Sequence, residues 1–149
     1  MKTKNFIYIL LVFANLAVAL SCYFFPVSRD EFFYLDKVNT PNPFTEYLDS
    51  YFYTNPRINQ FFTNVICRSR FLEILFGLLI FNAFFTIIFL NLYRRLPKIG
   101  NTEDVSKYLA VSSFFIFIIS YFGEMFYYVP FSTNYTLSHI FYLLYVFVL

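Results

Sequence analysis

The 149-residue chain is short of the residues that build most catalytic and metal sites. It contains one His, two Cys and three Gly, and it has no Trp. Two cysteines and one histidine fall short of the four ligands of a structural zinc site, so no metal site is expected. Three glycines form no glycine-rich phosphate loop, and no hydrolytic Ser-His-Asp or Cys-His set has plausible spacing. We therefore expect neither enzymatic activity nor a cofactor.

Charged residues are also scarce, at 13% of the chain against about 25% in an ordinary soluble domain. The net charge of +2 is too small and too dispersed for a nucleic-acid surface, so no nucleic-acid partner is expected. What remains is apolar: 59% of the residues are hydrophobic and the mean hydropathy is +0.59. A chain this short must turn that surface toward lipid or other subunits. The composition predicts an all-α membrane protein, with residues 1–149 forming a single domain.

Four apolar runs predict transmembrane helices, at residues 6–27, 71–93, 108–129 and 136–149. The first run reaches about 33 Å as a helix, which is enough to cross a hydrocarbon core of about 30 Å, and the next two are as long. The fourth run reaches only about 21 Å, so it must cross a thinned bilayer, be shielded by a neighbouring protein, or cross halfway. The N-terminal run also fits a signal peptide, but apolar sequence continues to Val27 and favours an uncleaved span.

Basic residues predict the orientation of the spans. The dense clusters precede the first span and fill the connection between the second and third; their members are Lys2, Lys4, Arg94, Arg95, Lys98 and Lys107. The longer segment 28–70 carries its basic residues further apart. We therefore expect both termini on the matrix or cytoplasmic side, and segment 28–70 on the opposite, outer side.

The outer segment 28–70 predicts amphipathic helices. Asn42-Pro43 and Asn55-Pro56 are typical helix starts, because Asn caps helices well and Pro suits the first helical position. Ser28 and Glu31 have capping-box spacing. Apolar residues then recur at helical intervals, and we predict that they dock on a partner: Phe44, Tyr47, Leu48, Tyr51 and Phe52 in one helix, and Ile58, Phe61, Phe62, Val65 and Ile66 in the next.

Five polar residues are predicted to share one layer near the outer ends of the spans: Arg68, Arg70, Glu73, Glu124 and His139. A carboxylate in hydrocarbon is costly unless it is paired, so Glu124 should have a basic or hydroxyl partner in this layer. Two interpretations are open. The cluster either relays protons or forms an interfacial ion pair that holds helix register. Cys22 and Cys67 are also expected on the outer side, either as free thiols or as a disulfide.

The aromatic and Asn content carries a resemblance. With 24 Phe, 14 Tyr and eleven Asn, the chain resembles membrane subunits encoded in AT-rich ciliate-type mitochondrial genomes, or an AT-rich bacterial inner-membrane protein. "FLEILFGLLIFNAFF" is similar to the glutamate-bearing second helix of the 4L subunit of respiratory complex I. That resemblance implies proton-path roles for Glu73 and Glu124. Glu73, however, lies near the start of its helix, and a fourth apolar run and a large outer segment are added.

Three functional hypotheses follow. The first is a small structural subunit of a respiratory-chain complex in the mitochondrial inner membrane, bridging core subunits and binding phospholipid such as cardiolipin. The second is a proton-conducting core subunit of complex I, in which Glu73, Glu124 or His139 carries protons. The third is an accessory protein of a bacterial inner membrane.

Overall fold

A computed structural model describes residues 2–27, 42, 44–45, 47–48 and 59–149. Every regular element in these ranges is helical. The elements, in chain order, are α1 (Lys2–Phe24), α2 (Asn59–Ile66), α3 (Arg70–Tyr93), α4 (Thr102–Ile118), α5 (Phe122–Phe126), α6 (Val129–Phe131), the π-helical segment Ser132–Thr136 and α7 (Leu137–Val148). The all-α prediction is therefore confirmed for the described residues.

Two of these helices are long and apolar enough to cross a membrane. They are Lys4–Phe24 of α1 and Arg70–Tyr93, which is the whole of α3. The bounds of both lie close to the predicted spans, because uninterrupted apolar runs of this length with few breakers leave the backbone little alternative to a helix. In the most apolar 18-residue stretch of α3, 39% of the residues are buried inside the chain, whereas 11% are buried in the corresponding stretch of α1. Thus α3 is the central helix and α1 is peripheral.

The core is aromatic and is centred on α3. Phe81, Phe85 and Phe89 of α3 are at most 2% exposed, and Phe126 of α5 closes the core from the side. The Phe85 and Phe126 rings stack at 5.8 Å between centroids, and Phe81 meets Phe126 edge to face at 5.5 Å. Around this core, α3 contacts α1, α4 and α7. Stiff aromatic rings give a large contact area at low rotamer cost, which suits helix packing in lipid.

A single glycine sets the approach of α1 to α3. A Cβ added at Gly77 would collide with the Cys22 sulfur and come within 3.2 Å of the Phe126 carbonyl oxygen. Cys22 is 2% exposed, and its thiol lies 4.0 Å from that same carbonyl oxygen. Cys22 and Cys67 are both buried, and neither forms a disulfide. Gly77 therefore supports packing within the chain, since small residues let helix backbones approach closely.

The bounds that we predicted for the third helix are wrong. We predicted one helix over residues 108–129, but α4 ends at Ile118 and the short α5 follows after a break at residues 119–121. The last helix begins earlier than predicted, because helical backbone runs without interruption from Val129 through the π-helical segment to Val148. Pro130 is the physical reason: it lies in the first turn of α6, where its fixed φ and missing N–H favour helix initiation.

The outer segment is described only in part. Phe44, Thr45, Tyr47 and Leu48 are helical, and the Asn42 side chain accepts a hydrogen bond from the Phe44 N–H at 3.0 Å. The predicted helix start at Asn42-Pro43 is therefore confirmed. The remaining predictions for this segment, which concern Ser28, Glu31, Tyr51, Phe52, Asn55-Pro56 and Ile58, lie outside the described residues.

Candidate functional site

Two residues of the predicted outer layer form an ion pair. The Arg70 guanidinium donates to the Glu73 carboxylate at 2.7 Å, and Glu73 is only 6% exposed. The other terminal nitrogen of Arg70 donates to the Phe25 carbonyl at 2.9 Å, just beyond the end of α1. Arg70 thus neutralises Glu73 and ties the end of α1 to the first turn of α3.

The other members of the predicted layer do not join that pair. Glu124 is half-buried in α5 and has no hydrogen bond or ion pair with any residue that the structure describes. His139 is exposed, and its Nδ1 lies 2.7 Å from the Tyr135 carbonyl oxygen one turn earlier. Arg68 donates to the Asn64 carbonyl at 3.1 Å. The predicted basic or hydroxyl partner of Glu124 is therefore not found among the described residues.

The described members of the predicted docking set differ in burial and fall into three groups. Tyr47 and Ile66 are buried inside the chain, at 9% exposure each, while Phe44 and Phe62 are about half exposed. Leu48, Phe61 and Val65 are half-buried. The Phe61 ring packs edge to face on Phe44 at 6.2 Å and on Tyr47 at 5.6 Å. Part of the apolar stripe therefore packs against the chain itself, and Phe44 and Phe62 are the most exposed of its described members.

A hydrogen-bonded network that the sequence analysis missed joins three helices. The Asn82 amide of α3 donates to the Asn15 side-chain oxygen of α1 at 2.8 Å. The Tyr108 hydroxyl of α4 donates to the Asn82 side-chain oxygen at 2.9 Å. Asn82 also donates to the Leu78 carbonyl, which uses its second N–H. The signal was present in the sequence, because Asn15 and Asn82 are isolated amides within apolar runs, and such residues hold membrane helices together.

The network lies beside a cleft of about 450 Å³ between α1, α3 and the connection from α3 to α4. Apolar side chains form most of its wall, and Lys98 supplies a cationic group. The lining residues are Leu11, Asn15, Asn82, Thr86, Leu96, Pro97, Lys98, Ile99, Val105 and Tyr108. An apolar cleft with a few convergent polar groups is the usual form of a small-molecule site.

The connection beside this cleft is held by an ion pair. Both terminal nitrogens of Arg95 donate to the carboxylate of Asp104, at 2.5 and 2.6 Å, and the Lys98 backbone N–H adds a third hydrogen bond at 3.0 Å. The Arg95 hydrogen bonds, followed by the one from Lys98, hold the pKa of Asp104 well below its usual range. Lys107 pairs with Glu103 one turn away in α4 at 2.6 Å.

The remaining arginine of the connection is also engaged. Arg94 lies 5.4 Å above the Phe147 ring and donates to the Phe147 carbonyl at 3.4 Å. The residue adopts a left-handed backbone with φ of 54°, so its N–H caps α3 by donating to the Leu90 carbonyl at 2.8 Å. The basic cluster that we used to predict orientation is therefore also a structural element that joins α3, α4 and α7.

Comparison of the chain with protein-family models, curated proteins and solved structures finds no match. Within the described residues, no group of three or more His, Cys, Asp or Glu side chains could hold a metal ion. The described polar contacts include an ion pair within the first turn of α3, an ion pair that links the end of α3 to α4, and an amide-hydroxyl network that joins α1, α3 and α4.

Proposed function

We propose that the chain is a non-catalytic structural subunit of a larger membrane assembly. The observation that carries this proposal is the break after α4, which leaves backbone donors without partners. Within the described part of the chain, the N–H groups of Ser120 and Tyr121 make no hydrogen bond, and both residues are exposed. Unsatisfied, lipid-exposed backbone is not tolerated in hydrocarbon, whereas backbone covered by another protein is.

The helix lengths support a membrane depth for this break. Helix α3 has 24 residues and rises about 36 Å, while α4 has 17 and rises about 25 Å. The connection between them is short, and the two helices are in contact, so they are measured from the same end. Phe115, three residues before the end of α4, packs on Phe84 and Phe85 in the middle of α3, so α4 ends well before the level of Arg70. A partner subunit that supplies acceptors to Ser120 and Tyr121 removes the cost of the break.

The exposed apolar side chains favour the same role. Phe13 and Phe24 of α1 are 66% and 72% exposed, and Phe117 of α4 is 87% exposed. The interior polar groups, in contrast, bond to one another across helices, as the Asn15–Asn82–Tyr108 network does. An inward network with an outward aromatic surface suits a subunit that packs among other helices and lipid.

The finer form of the proposal is a structural subunit of a respiratory-chain complex in the mitochondrial inner membrane, with four crossings and both termini on the matrix side. Its support is the Phe-, Tyr- and Asn-rich composition and the basic clusters before the first span and in segment 94–107. The continuous helical segment from Val129 to Val148 adds to it, because 20 residues reach about 30 Å and remove the length deficit expected for a last span of 14 residues.

Photocrosslinking from the break tests the proposal. With p-benzoylphenylalanine at Tyr121, which is 65% exposed, we expect protein adducts that mass spectrometry identifies as other membrane subunits. The matched control is the same substitution at Tyr108, which is 7% exposed and should crosslink only within the chain. Recovery from mild detergent as an isolated 17.9-kDa monomer or a homodimer, with only lipid adducts at position 121, would contradict the proposal.

A further inference from the structure

The cleft beside the Asn15–Asn82–Tyr108 network is lined by a lysine whose ammonium group makes no ion pair or hydrogen bond with the described residues. Among the four basic residues of the connection 94–107, Arg94, Arg95 and Lys107 have partners in Phe147, Asp104 and Glu103. The fourth, Lys98, lines the cleft, and its ammonium has no hydrogen bond or ion pair among the described residues. The Asp104 carboxylate beside it is already neutralised by Arg95.

A second unpaired lysine lies at the same end of the bundle. The Tyr8 hydroxyl of α1 donates to the Ile99 carbonyl at 2.8 Å, which places Tyr8 against the connection next to Lys98. Lys4 lies one helical turn before Tyr8 and therefore on the same face of α1. Its ammonium also has no partner in the described part of the chain. Lys4 and Lys98 therefore lie at the same end of the bundle, where α1 meets the connection.

Below this end of the bundle the cleft becomes apolar and then polar again. Leu11, Leu96 and Ile99 form its walls. Asn15 lies seven residues beyond Tyr8, about 10 Å deeper along α1. One N–H of its amide donates to the Leu11 carbonyl at 2.9 Å, and the other has no partner among the described residues. The cleft therefore presents a cation at this end, aliphatic walls, and one hydrogen-bond donor at depth.

We infer that this cleft binds an anionic phospholipid. The phosphate lies at Lys98, with Lys4 adding positive charge at the same end of the bundle, and an acyl chain packs along the aliphatic wall that Leu11, Leu96 and Ile99 form. A free inorganic phosphate matches the lysines but leaves the aliphatic walls unused. The inference requires that the chain be inserted in a membrane, but it does not depend on the proposed role as a subunit.

Photoactivatable lipids test the site on the full chain, in whatever assembly it purifies. The protein is reconstituted in vesicles that contain phosphatidylglycerol or phosphatidylcholine with a diazirine in the acyl chain, and the labelled peptides are mapped. We expect residues 8–15 and 96–108 to be labelled by the anionic lipid on the order of twentyfold more than by the zwitterionic one, at about fivefold for each lysine near an anionic headgroup. The double variant Lys4→Gln, Lys98→Gln should lose this preference.

Two controls distinguish lipid binding at this cleft from general attraction to lysine and from binding of free phosphate. Lys107→Gln removes a lysine from the same connection that is already paired with Glu103, and it should leave the labelling unchanged. Inorganic phosphate added at millimolar concentration should not displace the lipid. Equal labelling by the two lipids, an unchanged preference in the double variant, or full displacement by inorganic phosphate would overturn the inference. Both lysines have exposed side chains, so their replacement should leave the fold intact.

Discussion

Replacing Asn82 with Leu should destabilise the bundle by a predictable amount. Asn82 makes two hydrogen bonds to other helices, one to Asn15 at 2.8 Å and one from Tyr108 at 2.9 Å. Interhelical hydrogen bonds within membranes average about 0.6 kcal/mol and reach about 1.7 kcal/mol. The variant Asn82→Leu should therefore lower the free energy of unfolding by about 1.2 kcal/mol, with an upper bound of about 3.4 kcal/mol.

Unfolding in mixed micelles, titrated with a denaturing detergent and followed by circular dichroism, measures this loss. Asn15→Leu and Tyr108→Phe each remove one of the two interhelical bonds, so each should cost about 0.6 kcal/mol. Because the three residues share one network, we expect their effects to be non-additive. Thr86→Val is the matched control: it lies one turn from Asn82, and the Thr86 side chain makes no hydrogen bond among the described residues. If Asn82→Leu proved no more costly than Thr86→Val, the network would not hold the helices together.

Three other perturbations test separate parts of the structure. Gly77→Ala should destabilise the protein by about 1–3 kcal/mol through overpacking against Cys22, measured by the same unfolding titration. Adding Cys22→Ala should restore the lost stability. At Gly123 an added Cβ would lie 3.6 Å from its nearest neighbour, so an equal loss in Gly123→Ala would refute overpacking as the cause. Glu124→Gln should leave assembly and proton-coupled turnover unchanged, because no described residue pairs with Glu124; lost turnover in an assembled complex would favour proton conduction instead. The lowered pKa of Asp104 predicts a contribution to the free energy of unfolding that is fully present above about pH 5. This contribution is lost as the pH falls below the unfolded pKa of about 3.9 toward the lower pKa of the folded state. Unfolding titrations at pH 7 and pH 3 should show the loss, and the difference between the two pH values should be smaller in Asp104→Asn.

Local sequence was sufficient to predict much of the helical architecture. The apolar runs predict α1 and α3 to within a few residues, since run length and the scarcity of breakers decide helix formation in lipid. The cap at Asn42 follows from one side chain and its own neighbours, so it was also predictable. The start of the last helical segment at Val129 was not, because Pro130 closes an apolar run in the sequence while it opens a helix in the structure.

Only the tertiary structure decided which polar residues meet. Both carboxylates and the histidine were visible in the sequence, but counting residues from span ends placed Glu73, Glu124 and His139 in one layer, whereas Glu73 pairs with Arg70 alone. The sequence was enough to predict long apolar helices, with basic clusters before the first span and in segment 94–107. Which lysine stays unpaired, and which amides face one another, depends on the rotation and contact of helices distant in sequence, and no local pattern encodes that geometry.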